Sequence, residues 1–246
     1  MHEASQLPEL PHLLTLLGEA YSGNAVLSFL GRWHNIFAAL FAVAVLFAFA
    51  FFATRKMALM PGRLQNAAEF LVEGIDDFMQ GILGAHGRDY LPFIGTLFVY
   101  ILVMNLSGFI PFLESATASW STTLALALCV FCYVQYTGVR KMGFWGYLDH
   151  LAGKPRGVLA FSIVLPVFFF ALHVTSEFLR PLSLSLRLRS NIWGDDLLLA
   201  LLTGFGMKGL PILFWNTLTT MLTAVIQAGV FSLLSTIYFA LILNEE

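Results

Sequence analysis

The chain is 246 residues long, 58% hydrophobic and only 11% charged, with a formal net charge of −2 and a mean hydropathy of +0.79. Soluble domains carry about 25% charged residues, so a water-solvated globule is excluded and lipid is the natural solvent. The negative balance also excludes nucleic acid as a partner, because phosphate binding needs a basic surface.

In chain order, the first thirty residues hold Glu3, Glu9 and Glu19, with no Lys or Arg before Arg32. A basic n-region is missing, so this stretch is not a signal peptide and the first span is expected to direct its own insertion. Uncharged apolar runs then mark spans, since about 20 residues rising 1.5 Å each cross a core about 30 Å thick. Ile36–Ala53, Leu91–Leu113 and Ser119–Val139 are three such runs. Between the first two, Leu64–Leu83 alternates apolar residues with Glu69, Glu73, Asp76 and Asp77, after a Pro61-Gly62 turn. It reads as an amphipathic helix on the cytoplasmic surface. Cys129 and Cys132 form a C-x-x-C in the third run, but zinc wants four ligands and none converge nearby. They read as ordinary helix-packing residues, and neither metal nor cofactor is expected.

Beyond Gly157 the pattern changes. As far as Met207 it is apolar but interrupted by His173, Glu177, Arg180, Arg187, Arg189, Asp195 and Asp196; from Gly209 to Asn244, 36 residues pass without a charge. Each segment is too long for one upright crossing, so strong tilting, bending or hairpins are required. Pro166, Pro181 and Pro211 offer bends, while Gly204, Gly206 and Gly209 predict a turn between the segments.

Lys and Arg set the orientation. Connections 54–90 and 140–157 hold Arg55, Lys56, Arg63, Arg88, Arg140, Lys141, Lys154 and Arg156, against Arg32 and Lys208 on the other side. This places residues 1–35 outside, 54–90 in the cytoplasm and the C-terminus in the cytoplasm. The expected fold is all-α, a single integral membrane domain over 1–246. About five helices cross, with one cytoplasmic amphipathic helix besides, and the last two crossings (157–244) are long, tilted ion-path helices.

Ionisable groups inside a bilayer cost several kcal/mol and mark function by default. At about 100° per residue, His173, Glu177, Arg180, Arg187, Asn191 and Asp195 share one stripe of the helix, and Arg189 and Asp196 share another face. The final segment carries a matching stripe of Asn216, Thr220, Thr223 and Gln227. Two such stripes facing each other make a hydrated path or a polar seam.

Bland roles compete for several of these residues. Arg180 can snorkel or pair with Glu177, and Arg189 can satisfy Asp196 or reach headgroups. Thr220 and Thr223 can bond their own backbone. Asn105, alone in the second span, suits a helix–helix hydrogen bond, though it stays among the candidate path residues. Arg187 differs: it lies deep in an apolar segment, cannot be deprotonated, and has no acid three or four residues away. His173 and Glu177 stand at i, i+4 like half a metal site, but two ligands are too few for an intramembrane metalloenzyme. No inverted repeat marks a secondary transporter, and no nucleotide-binding glycine loop is present, so any ATP chemistry belongs to another chain.

The stretch Ser183-Leu184-Ser185-Leu186-Arg187-Leu188-Arg189-Ser190-Asn191 resembles the S-L-x-L-R-L-F-G-N motif of subunit a of F-type ATP synthases. Pro181, Asp196, Arg55-Lys56, Pro61-Gly62, Gln65, Met104-Asn105-Leu106, Pro111, Thr122-Thr123-Leu124, Gln227-Ala228 and Tyr238 look like further landmarks in the same order. The resemblance implies a non-catalytic stator subunit in a bacterial-type inner membrane, partnered by the c-ring and by peripheral-stalk subunit b. Two offset half-channels would serve the ring's carboxylates, with Arg187 between them. Asn191 and Gln227 would line the site, Asp196 the outer half-channel, and Glu177 and His173 the cytoplasmic one. The chain departs from the pattern at Arg189-Ser190, where Phe-Gly is usual, at His173, where a glutamate is usual, and at Thr220 and Asp195. The alternative is another ion channel or secondary transporter with an intramembrane arginine.

Overall fold

The computed structural model describes residues 34–55, 62–84, 87–109, 117, 119–151 and 161–243. Among these, the side chains of a few, Asp196 and Lys208 included, are outside the description. The expected outer segment 1–35 is therefore essentially outside it, as are Lys56, Pro61, Pro111, Lys154 and Arg156.

The described residues form six helices and no strand. α1 is His34–Thr54, α2 Arg63–Leu83, α3 Gly87–Ser107, α4 Trp120–Leu151, α5 Phe161–Thr203 and α6 Leu210–Leu243. Four stretches are long and apolar enough to cross a membrane: Ile36–Thr54, Gly87–Ser107, Trp120–Tyr147 and Leu210–Leu243. α5 has the length but is not among these four. The expectation of five crossings thus meets four by composition and a fifth helix long enough by geometry.

Among its described side chains, α1 is apolar all round and buries only Ala42 and Ala53. Its small residues Ala38, Ala39 and Ala42 pack on the core, as lipid-embedded helices do when they approach through small side chains. Its phenylalanines face outward, which in water would aggregate and in lipid costs nothing. α2 is the amphipathic helix expected over 64–83. It turns Met79 and Leu83 inward, and its Asp76 lies 3.6 Å from Arg88 at the start of α3.

α3 buries Ile94, Leu97, Ile101 and Met104, and α4 buries Thr123, Ala127, Val130, Val134 and Thr137. These three-and-four spacings are the seams of closely packed helices. α6 buries Ala224, Gln227, Ala228, Phe231, Ser235 and Phe239 between them. One end of the bundle is closed by aromatic rings: Tyr90 meets Phe239 at 4.8 Å, and Tyr133 meets Phe93 at 4.6 Å and Phe239 at 5.3 Å. At that end the Lys141 ammonium donates to the Leu243 carbonyl at 2.5 Å, capping the last turn of α6. The start of α3, the basic end of α4 and the end of α6 therefore lie together.

α4 is interrupted at Gly143, where φ is 72° and ψ 160°, a conformation that L side chains rarely adopt. The chain reverses there and returns Tyr147 against α4. α5, by contrast, runs as helix through Pro181. The expected turn between the long helices falls at Gly206–Gly209, a single 3-10 turn. At about 1.5 Å per residue, the 43 residues of α5 and 34 of α6 run to about 65 and 51 Å. Both exceed the membrane core.

Candidate functional site

α5 touches the bundle along a narrow line. Leu184, Ser185 and Leu188 are buried, and the Ser185 hydroxyl donates to Thr123 Oγ1 of α4 at 3.1 Å. Docking that face turns the opposite one outward, so Arg187 is exposed, among exposed Leu182, Ser183, Leu186 and Ser190. Beside it α6 exposes Leu218, Met221, Leu222, Val225 and Ile226. Among the described residues, Arg187 holds no ion pair and lies over no ring. A permanent cation thus stands on a membrane face where the exposed residues around it carry no charge.

Two polar clusters flank it along the bundle. Toward the aromatic end, Glu177 pairs with Arg180 one turn on and accepts from Gln135 Nε2 of α4 at 2.8 Å. The Tyr147 hydroxyl donates to Oε1 of the same Gln135, which leaves the amide nitrogen aimed at Glu177. The Arg180 guanidinium also lies 5.2 Å from the centroid of the Tyr238 ring of α6. A crevice of about 10 Å³, the space of one water, opens beside Glu177, Arg180, Leu184 and Tyr238. His173 is exposed, one turn before Glu177.

Toward the other end, Asn191 Nδ2 donates to Gln227 Oε1 at 2.6 Å, joining α5 to α6. Gln227 is only 4% exposed. Asp195, one turn beyond Asn191, is half-buried; the backbone of Asp196 follows it, its side chain outside the description. Asn216, Thr220 and Thr223 extend the α6 stripe, buried or half-buried. Thr217 and Thr219, on the exposed face of that helix, are the threonines that bond back to Leu213 and Trp215. Between the clusters the interior is largely apolar, filled by Ala127, Val130, Leu184, Leu188, Ala224, Ala228 and Phe231 around the paired hydroxyls of Ser185 and Thr123.

Asn105 is satisfied on both sides. Its Nδ2 donates to the Ala224 carbonyl at 3.3 Å and its Oδ1 accepts from Thr117 at 2.8 Å. This knot ties α3 to α6 behind the Gln227 turn. The Arg189 guanidinium lies 5.4 Å from the centroid of the Trp120 ring, at the start of α4; Asp196, the partner weighed for it, has its side chain outside the description. Cys129 and Cys132 are free thiols facing outward rather than into the packing. Among the described residues no three His, Cys, Asp or Glu side chains gather as a metal site.

Gln135, Tyr147 and Trp120 went unremarked in the sequence. A single amide in the uncharged run Ser119–Val139 was the available signal for Gln135. Nothing local marks Tyr147, since its partner is reached only through the Gly143 reversal.

The model of the ATP synthase A chain family matches residues 36–240. ATP synthase subunit a of Protochlamydia amoebophila (strain UWE25) is 36% identical over 251 residues, covering 98% of this chain and 92% of that one. ATP synthase subunit a of Helicobacter pylori (strain Shi470) and that of Helicobacter acinonychis (strain Sheeba) are each 35% identical over 226 residues, covering 90% of this chain and 96% of theirs.

Proposed function

The chain belongs to the ATP synthase A chain family, and from that premise we propose that it is the ion-conducting stator subunit of a rotary F-type ATP synthase. It is a multi-pass membrane protein. It carries no catalysis of its own; it delivers protons to a ring of c subunits and collects them from it. The single observation that carries this reading is the setting of Arg187, an exposed cation with uncharged exposed neighbours and a polar cluster on either side.

Each part of the arrangement has a physical task. A ring carboxylate entering the membrane face must stay ionised opposite the stator and be protonated before it returns to lipid. Arg187 attracts the ionised form by about 4 kcal/mol at 4 Å in a medium like a protein surface. Its guanidinium cannot lose its proton when desolvated, whereas an ammonium can. Protons therefore cannot hop across it from one cluster to the other, and the apolar packing behind it closes the direct route. The Asn191–Gln227–Asp195 group, with Asp196, serves the outer half-channel. The Glu177 group, with His173, serves the cytoplasmic one. Asn105 fastens the wall of the outer path. The basic end of the bundle faces the cytoplasm of a bacterial inner membrane, the N-terminus lies outside, and subunit b braces the chain against rotation.

The test is ATP-driven acidification of inverted membrane vesicles, comparing the native chain with Arg187→Ala at equal complex content. Acidification by the native vesicles alone is the expected result. Normal pumping by Arg187→Ala would make the arginine structural and end this reading.

A further inference from the structure

α5 carries three arginines, and a neighbouring helix holds two of them by an aromatic ring. Arg180 lies over Tyr238 of α6 and pairs with Glu177. Arg189 lies over Trp120 of α4. Arg187 alone has neither ring nor ion pair among the described residues.

The hold on Arg189 is built by the turn of α4 that docks on α5. Trp120 opens that helix, and Thr123, in the same turn, accepts from Ser185. The Thr123 hydroxyl is itself fixed on the Ser119 and Trp120 carbonyls. Ser185 and Arg189 are one turn apart on α5, so both meet this turn of α4. Arg187 and Arg189 leave the helix on different sides, but an arginine stem is long and flexible. A second guanidinium two residues away reaches the Arg187 face unless something retains it.

We propose that Trp120 is a positioning residue: it parks the Arg189 guanidinium against α4, so that Arg187 is the one cation presented to each passing ring carboxylate. This rests on the stator reading above. A carboxylate must be attracted, then released to take a proton. Two guanidinium groups on one face would hold it ionised over a wider arc and delay that protonation. An indole suits the task because its face attracts a cation while bringing no charge of its own. A carboxylate in its place would add a competing proton acceptor beside the path.

The experiment uses the assembled complex in inverted vesicles, with rates normalised to complex content. Trp120→Leu is expected to slow ATP-driven acidification several-fold, and Trp120→Leu/Arg189→Gln to return it to near the native rate. Arg189→Gln alone is expected to pump like the native chain. Rescue by removing the second charge is what a purely structural tryptophan would not show. Native-rate pumping by Trp120→Leu, or a double variant as slow as the single one, overturns the proposal. If Trp120→Leu does not reach the membrane, the comparison moves to Trp120→Phe, whose weaker ring gives a partial loss. Arg189→Gln must relieve that loss, and equal rates with and without it overturn the proposal too. An Arg187→Ala control separates the two ideas: if it pumps, the stator reading falls, whereas failed rescue with Arg187→Ala silent removes only the parking role.

Discussion

A methyl group added at Gly138 tests the knot around Glu177. The Cβ of Gly138→Ala would stand 2.8 Å from Tyr147 Cε2, 3.2 Å from its Cδ2 and 3.4 Å from Ile242 Cγ2. The first distance is below any ordinary contact, so the ring must move. Tyr147 is 8% exposed and sits on a reversed segment, so it can leave only by swinging away from α4 and from Gln135. Overpacking of this kind costs about 1–3 kcal/mol. Losing the hydroxyl's bond to Gln135 adds about 0.5–1.5 kcal/mol, and together the change costs about 1.5–4.5 kcal/mol. Tyr147→Phe keeps the ring and loses only the bond, so its cost is about 1 kcal/mol. The measurement is the detergent midpoint at which the chain leaves the purified complex, with acidification rates taken beside it. Gly138→Ala should fall further than Tyr147→Phe, and Gly138→Ala/Tyr147→Ala should recover part of the difference. Pumping should slow in both single variants, because Gln135 is no longer held toward Glu177. A Gly138→Ala complex as stable as the native one, or a double variant no better than the single, would refute the reasoning.

Three further outcomes follow from contacts elsewhere. Gln227→Leu leaves the half-buried Asn191 amide without its acceptor, a cost of about 1 kcal/mol, and proton flux should slow while the complex stays in the membrane. The double-mutant coupling with Asn191→Leu should lie near the ~0.6–1.7 kcal/mol found for polar contacts in membranes; a coupling of zero would mean the pair does not form. Asp196→Asn should likewise slow transport without loss of assembly, and disappearance of the complex from membranes would count against a path role. Gly209→Ala puts a Cβ 2.8 Å from the Leu202 carbonyl oxygen and 3.1 Å from Phe205 Cβ. That closes the turn between α5 and α6, so immunoblots should show less chain in the membrane, and a native level would show slack in the turn.

Helix placement was readable where one solvent decides it. The uncharged runs became α1, α3, α4 and α6, and the alternating acids of 64–83 marked α2. α3 stops at Ser107, short of the expected Leu113, and residues 110–116 are outside the description. Pro181 is a candidate bend, and α5 stays helical through it, as proline-kinked helices do. The reversal at Gly143 was hidden: a glycine after an apolar run reads equally as loop or helix end. The outward setting of Arg187 was half visible, because the absence of a nearby acid is a local fact. Which helix covers the opposite face is not local. Gln135–Glu177 spans 42 residues and Ser185–Thr123 spans 62, separations at which periodicity carries no information. The wheel placed Arg187 and Asn191 in one stripe, but a stripe does not say which members meet a neighbour.

The reversal after Gly143 has a consequence for where the whole chain floats. It turns Phe144 and Trp145 outward, the latter 80% exposed, at the level of Arg140 and Lys141. Indole rings prefer the boundary between headgroups and hydrocarbon, so this pair acts as a waterline. Lys141 is fastened to the last carbonyl of α6, which transmits the waterline to the helix that carries Gln227. On the stator reading proposed above, the partner ring has its own waterline, set by its own side chains. On that reading the height of Arg187 against the ring carboxylates would be a difference between two independent draughts, and lipid chain length would become a coordinate of the motor: one bilayer thickness would align cation and carboxylate, and thicker or thinner membranes would shear them apart.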